Sequence, residues 1–153
     1  FNSHKIIITI YKSSYYYKLK KKLMEIFDKK NNLIAIIHLA NEFKEGKNFY
    51  TKEDADFQFG SFSLKAGENI DYHIHNLQDR NIDKTSEGIV VISGKMNIEL
   101  FDDSKELLFE KDLTSGDAIL IFQGGHGIKI IDDCKFLEFK QGPYDEKKDK
   151  KYF

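Results

Sequence analysis

The chain has 153 residues, 24 basic and 25 acidic, with 41% hydrophobic and 32% charged residues. That length suits one domain with a real core, and that mix marks a globular rather than a disordered chain. A net charge of −1 gives no general electrostatic case for nucleic acid, and the single Cys134 excludes an intrachain disulfide.

No apolar run reaches the length of a membrane span. The chain opens on Phe1 rather than methionine, as a fragment of a longer protein would. The apolar run 6–11 is short, contains Thr9 and lacks a small-residue cleavage site, so it makes a poor signal peptide. Cys134, in a turn beside Lys135, reads as structural, and a reducing, cytoplasmic setting is expected.

Residues 5–11 are β-branched and predict a strand. Tyr15, Leu19, Leu23 and Ile26 or Phe27 then fall at helical spacing, with Lys18, Lys20, Lys21 and Lys22 around them. A basic amphipathic helix can bind membrane or nucleic acid, but the expected reading is a packing helix with a solvated lysine face. Turn formers at 28–32 end it, so residues 1–32 form a strand-helix extension ahead of a domain at 33–145 and a charged, solvated tail at 146–153. Within the domain, strands are predicted at 33–40, 57–64, 70–75, 88–93, 95–101, 107–111, 118–122, 128–131 and 136–140. Turn chemistry falls between them, at Ser93-Gly94 and Asp132-Asp133 among other places. Many short strands without intervening helices predict an all-β sandwich or barrel.

The chemistry-bearing residues cluster in two glycine-rich stretches. In the first, Gly67 precedes His73-Ile74-His75 by five residues, and Glu87 precedes Gly94 by six. The second holds Gly116, Gly124 and His126. Histidines at i and i+2 project from one side of a strand. If that side faces a barrel interior, a carboxylate and a third histidine from other strands can complete a metal site. Without metal, the same pair would line a polar pocket. Asp71 shares the face of His73 and His75 and is a candidate acid-base partner. Glu138 and Lys140 share a face with Phe136 and point either to solvent or into a polar pocket. Arg80 and Lys84, in a polar loop, are placed to hold an anionic group or are simply solvated. His38, among Ile36, Ile37 and Leu39, reads as a core or interface residue.

The spacing of Gly67, His73, His75, Glu87 and Gly94 resembles the first motif of the cupin family, with a longer spacer of eleven residues between His75 and Glu87. Gly116, Gly124 and His126 are similar in kind to its second motif, with Phe122 where proline is usual. The stretch from Glu138 to Tyr144 also resembles uncharacterised cupins that accompany surface-polysaccharide and nucleotide-sugar pathways. The resemblance implies a jelly-roll of two antiparallel sheets, with His73, His75, Glu87 and His126 around a divalent ion such as Fe, Mn, Ni, Co or Zn. It further implies isomerase- or epimerase-like chemistry on a sugar, sugar nucleotide or related small molecule. There Glu87 or Asp71 would be the base, with Arg80 and Lys140 holding the substrate. A non-haem iron dioxygenase and a non-enzymatic sugar-binding module are the alternatives. Open sheet edges and an extra N-terminal strand predict a homodimer by strand addition.

Overall fold

Two long segments, each alternating apolar and polar residues past the point where a turn was expected, organise the computed structural model. The structure describes residues 7–12, 15–20, 23–145 and 147–153, with side chains from residue 23 onward. In chain order the elements are β1 (Ile7–Lys12), β2 (Tyr15–Lys20), β3 (Leu23–Asp28), β4 (Leu33–His38), a 3-10 turn (Ala40–Glu42), β5 (Gly46–Phe49) and β6 (Gly60–Ser63). They continue with β7 (Glu87–Phe101), β8 (Leu107–Thr114), β9 (Ala118–Ile121) and β10 (Gly125–Lys140). The described chain is thus nearly all β and its strand pairs are antiparallel.

One sheet runs β1-β2-β3-β4-β9-β7-β10, and β8 pairs with β7 off that path, while β5 and β6 make a separate hairpin. Strand β7 is shared: β9 lies beside its first residues, β8 beside its last, and β10 flanks both halves. Its buried side chains alternate in each half, Ile89 and Val91 and then Met96, Ile98 and Leu100. They pack with Ala35 and Ile37 of β4, Ile119 and Ile121 of β9, and Leu108 and Leu113 of β8 in one core.

The expected turns at Ser93-Gly94 and Asp132-Asp133 are instead bends within continuous strands. Gly94 has φ +80° inside β7. The β7–β10 register shifts opposite it, between Ile130 and Asp132, between Asp132 and Lys135, and between Lys135 and Phe136. These are β-bulges, which bend a strand without ending it. A Cβ on Gly94 would lie 2.0 Å from the backbone oxygen of Asp133, so glycine here permits close approach as well as positive φ.

The N-terminal helix is also corrected. Tyr15–Lys20 and Leu23–Asp28 form β2 and β3, paired from Tyr15↔Asp28 to Lys20↔Leu23, and β3 pairs with β4. A helix would set Lys18 against Lys21 and Lys22 at repulsive i,i+3 and i,i+4 spacings. As strands, the Tyr15-Tyr16-Tyr17 run suits β geometry and finds partners on an existing sheet edge. Strands β1, β2 and β3 therefore extend the main sheet; residues 1–6, 13–14 and 21–22 lie outside the described residues. Among the described residues, no helix is long and apolar enough to cross a membrane.

His38 ends β4 as a buried side chain. Its ring meets Phe43 edge-on at 4.7 Å and lies 5.2 Å from Tyr50, and among the described residues its Nε2 has no hydrogen-bond partner. Burial holds its imidazole below the ordinary value, with nearby Asp117 acting the other way. The unfolded chain then binds the proton more tightly than the folded one. Stability should accordingly fall as pH drops below about 6.5, the ordinary histidine value. In chemical denaturation between neutral and mildly acid pH, His38→Phe, which keeps the ring contacts, should flatten that decline. Gly94→Ala should destabilise the chain by at least about 1–2 kcal/mol from backbone handedness alone, with the clash against Asp133 added, as read by urea titration.

Candidate functional site

The bend in β7 has a geometric result at its ends. A straight strand from Glu87 to Leu100 would span roughly 40 Å at about 3.3 Å per residue. Yet Nε2 of His126, the ladder partner of Leu100, lies 3.4 Å from Oε1 of Glu87. The strand doubles back at Gly94, so its two ends meet across the core. A second connection reinforces this, because Glu87 pairs with Ile121 of β9 and the chain then turns through Gly124 to His126. Gly124 has φ +83°, and a Cβ there would lie 2.5 Å from the backbone oxygen of Phe101.

A cavity of about 600 Å³ opens at this meeting point, with Glu87, His126, Glu138 and Lys140 in its wall together with Glu99, Phe101 and Gln123. Lys140 is the direct cross-strand partner of Glu87, and Glu138 is that of Ile89. Alternation puts Phe136, Glu138 and Lys140 on the inward face. Of the two settings the sequence left open, Lys140 is half-buried in the pocket wall, while Glu138 borders the pocket and stays exposed to solvent. Glu87 is 6% exposed. Its carboxyl is held below the ordinary carboxylate value, first by the hydrogen bond from His126, with burial opposing and the charges of Lys150 and Lys140 assisting.

Part of the wall comes from the C-terminal residues 149–153. Lys140 Nζ lies 2.6 Å from Asp149 Oδ2, in a pair whose side chains are 16% and 13% exposed. The same ammonium sits 4.6 Å from the centre of the Tyr144 ring. Asp149 raises the Lys140 pKa, and Glu138 and Glu87 add to that. The Phe153 ring packs edge-on against Phe101 at 5.3 Å, and Lys150, Lys151 and Tyr152 complete the rim. These residues were expected to be a solvated tail, and most of them are exposed, Tyr152 at 87% and Phe153 at 61%, while Asp149 and the edge of the Phe153 ring meet the pocket wall.

The remaining expected site residues lie elsewhere. Residues 70–75 were expected to be a strand, but segment 64–86 forms none. Both edges of β7 are already taken by β8, β9 and β10, which leaves this segment no ladder on that strand. His73 and His75 are exposed, as are their neighbours Tyr72 and Ile74. The two imidazoles face each other edge-on at 5.1 Å, and His73 Nδ1 lies 2.8 Å from the backbone oxygen of Asp71. Asp71 and Arg80 are likewise exposed. Lys84 Nζ donates to Gln123 Oε1 at 2.8 Å, and Gln141 Oε1 accepts from the Ser86 amide at 2.8 Å, tying the end of the segment to the pocket rim.

The structure therefore brings Glu87, His126 and Lys140 together and does not bring His73, His75, Asp71 or Arg80 to them. Among the described residues no group of three or more His, Cys, Asp or Glu side chains is placed to hold a metal ion. Of the four residues expected as ligands, Glu87 and His126 lie together, 3.4 Å apart, and His73 and His75 do not join them. Comparison with protein-family models, with curated proteins and with solved structures finds no match for this chain.

Because the folded-state pKa of Glu87 is depressed, its contribution to stability is present in full above the ordinary glutamate value of about 4.3 and is lost as pH falls through the lower folded value. Acid titration followed by circular dichroism should show wild type losing stability below about pH 4.3 more steeply than Glu87→Gln, which cannot ionise.

Proposed function

We propose that this chain is a cupin-like jelly-roll protein that binds a sugar or sugar-derived small molecule and moves a proton on it with the Glu87–His126 pair. The observation that carries this reading is an ionised, buried carboxylate 3.4 Å from an imidazole in the wall of a cavity of about 600 Å³. That volume is in the range of small-molecule sites, about 300–1,000 Å³. Glu87 takes a proton from carbon beside the ligand carbonyl, and the Lys140 ammonium stabilises the negative charge that develops on the ligand oxygen. His126 holds the carboxylate in place. Return of the proton to the other face completes an epimerisation, and its return to the former carbonyl carbon, with the adjacent hydroxyl proton passing to the former carbonyl oxygen, completes an isomerisation.

A metal-assisted version is a second reading, favoured by one distance. Donors about 2.0–2.2 Å from a metal stand about 3–3.4 Å from one another, and Glu87 Oε1 and His126 Nε2 are 3.4 Å apart. Where an ion binds, it polarises a ligand oxygen. His73 and His75 join it only if segment 64–86 moves inward.

The test is calorimetric titration with aldoses, ketoses, sugar phosphates and sugar nucleotides, with and without added Mn²⁺, followed by proton NMR of the bound sugar in D₂O. Deuterium should enter beside the carbonyl with wild type and slow by about 10²–10⁴-fold with Glu87→Gln, the usual share of a general base. Binding without exchange would reduce the protein to a sugar-binding module, and binding of none of these ligands would sink the reading. If His73→Ala/His75→Ala retains the Mn²⁺ stoichiometry of wild type, the ion rests on Glu87 and His126. If that stoichiometry is lost, segment 64–86 closes over the site.

A further inference from the structure

We propose that residues 147–153 are a displaceable lid, latched by Lys140–Asp149 and seated by Phe153, which restricts entry to the pocket holding Glu87 and His126. Three features of different physical kind converge on this segment. The first is electrostatic. Asp149 is placed by a turn in which its amide donates to the Asp145 carbonyl at 2.8 Å, and from there its carboxylate meets Lys140 at 2.6 Å inside the pocket wall. Lys140 is anchored by its own strand, so the movable partner is Asp149.

The second feature is steric. A Cβ on Gly125 would lie 2.8 Å from Cζ of Phe153, so the glycine beside His126 leaves the space that the ring fills. Phe101 forms the other wall of this seat at 5.3 Å, and Lys105 Nζ stands 5.4 Å from the same ring. The third is what the lid overlies. Lys150, Lys151, Tyr152 and Phe153 line the same cavity as Glu87 and His126.

The contacts are few and of kinds that release easily. Among the described residues they include the Lys140–Asp149 ion pair, the aromatic seat, one edge cation and turn contacts to Asp145, with no β-ladder to the main sheet. A segment held in this way opens locally at a small fraction of the free energy of global unfolding. The lid acts on access, whatever the ligand, and so stands or falls separately from the sugar reading.

Access is read directly by the rate at which diethyl pyrocarbonate acylates His126 in the full chain, followed by peptide mass spectrometry. His73, exposed and remote from the lid, is the internal reference. Asp149→Asn weakens the latch and Phe153→Ala empties the seat. Each should speed modification of His126 by about 3- to 10-fold while leaving His73 unchanged and the thermal midpoint within a few degrees of wild type. Gly125→Val, whose branched side chain occupies the seat, should act in the same direction. Modification of His126 at the wild-type rate in both Asp149→Asn and Phe153→Ala would overturn the proposal.

Discussion

The bend of β7 at Gly94 is the constraint on which the rest of the structure depends. It lets one strand serve both walls of the core, with Ile89 and Val91 before it and Met96, Ile98 and Leu100 after it. It also converts a separation of roughly 40 Å along a straight strand into contact between the strand's two ends. Glycine is required there twice over, by its positive φ and by the backbone of Asp133, which occupies the place of a side chain. The bulges of β10 are the matching half of the same device, since a strand paired with a bent neighbour must gain or lose a residue where the bend falls.

The pocket follows from that closure. Where the ends of β7 meet, the inward face runs out of apolar residues and continues as Glu87, Glu138 and Lys140. Burial alone would push a carboxyl toward its neutral form. Glu87 goes the other way, because His126 is brought within 3.4 Å and two lysines stand near. A charge kept ionised in a partly dry setting is an arrangement typical of functional sites, and here the groups around Glu87 come from the two ends of β10 and from the C-terminal segment.

The all-β class was legible in the sequence, from the β-branched runs and the turn chemistry between them. The second half of the chain was legible in most of its strands, and so was the common face of Glu138 and Lys140. Gly94 was visible as punctuation but not as a bend, because a glycine flanked by strand-forming residues has the same local pattern in a turn and in a bulge. Helical spacing over Tyr15–Phe27 gave way to pairing with β4, a tertiary partner that a local window does not contain. Of the expected ligands, Glu87 and His126 meet in space while His73 and His75 lie on an exposed segment. Alternation tells which side of a strand a residue takes, but it presupposes a strand, and residues 70–75 find no partner to make one. Asp149 and Phe153 were missed because a lysine-rich run is most often solvated, and their partners lie on distant strands.

The folding-back of β7 also bears on how this protein can change over evolutionary time. Glu87 and His126 sit on different strands, β7 and β10, yet His126 is laddered to Leu100 at the far end of β7. Here Glu87 and the strand position that carries His126 are two ends of a single lever with its fulcrum at Gly94. A substitution near that fulcrum, such as one at Ser93, Lys95 or Asp133, changes the angle of the lever and with it the separation of the carboxylate from the imidazole. Selection for a firmer fold and selection for a tuned site therefore act on the same few residues, remote from the pocket they govern.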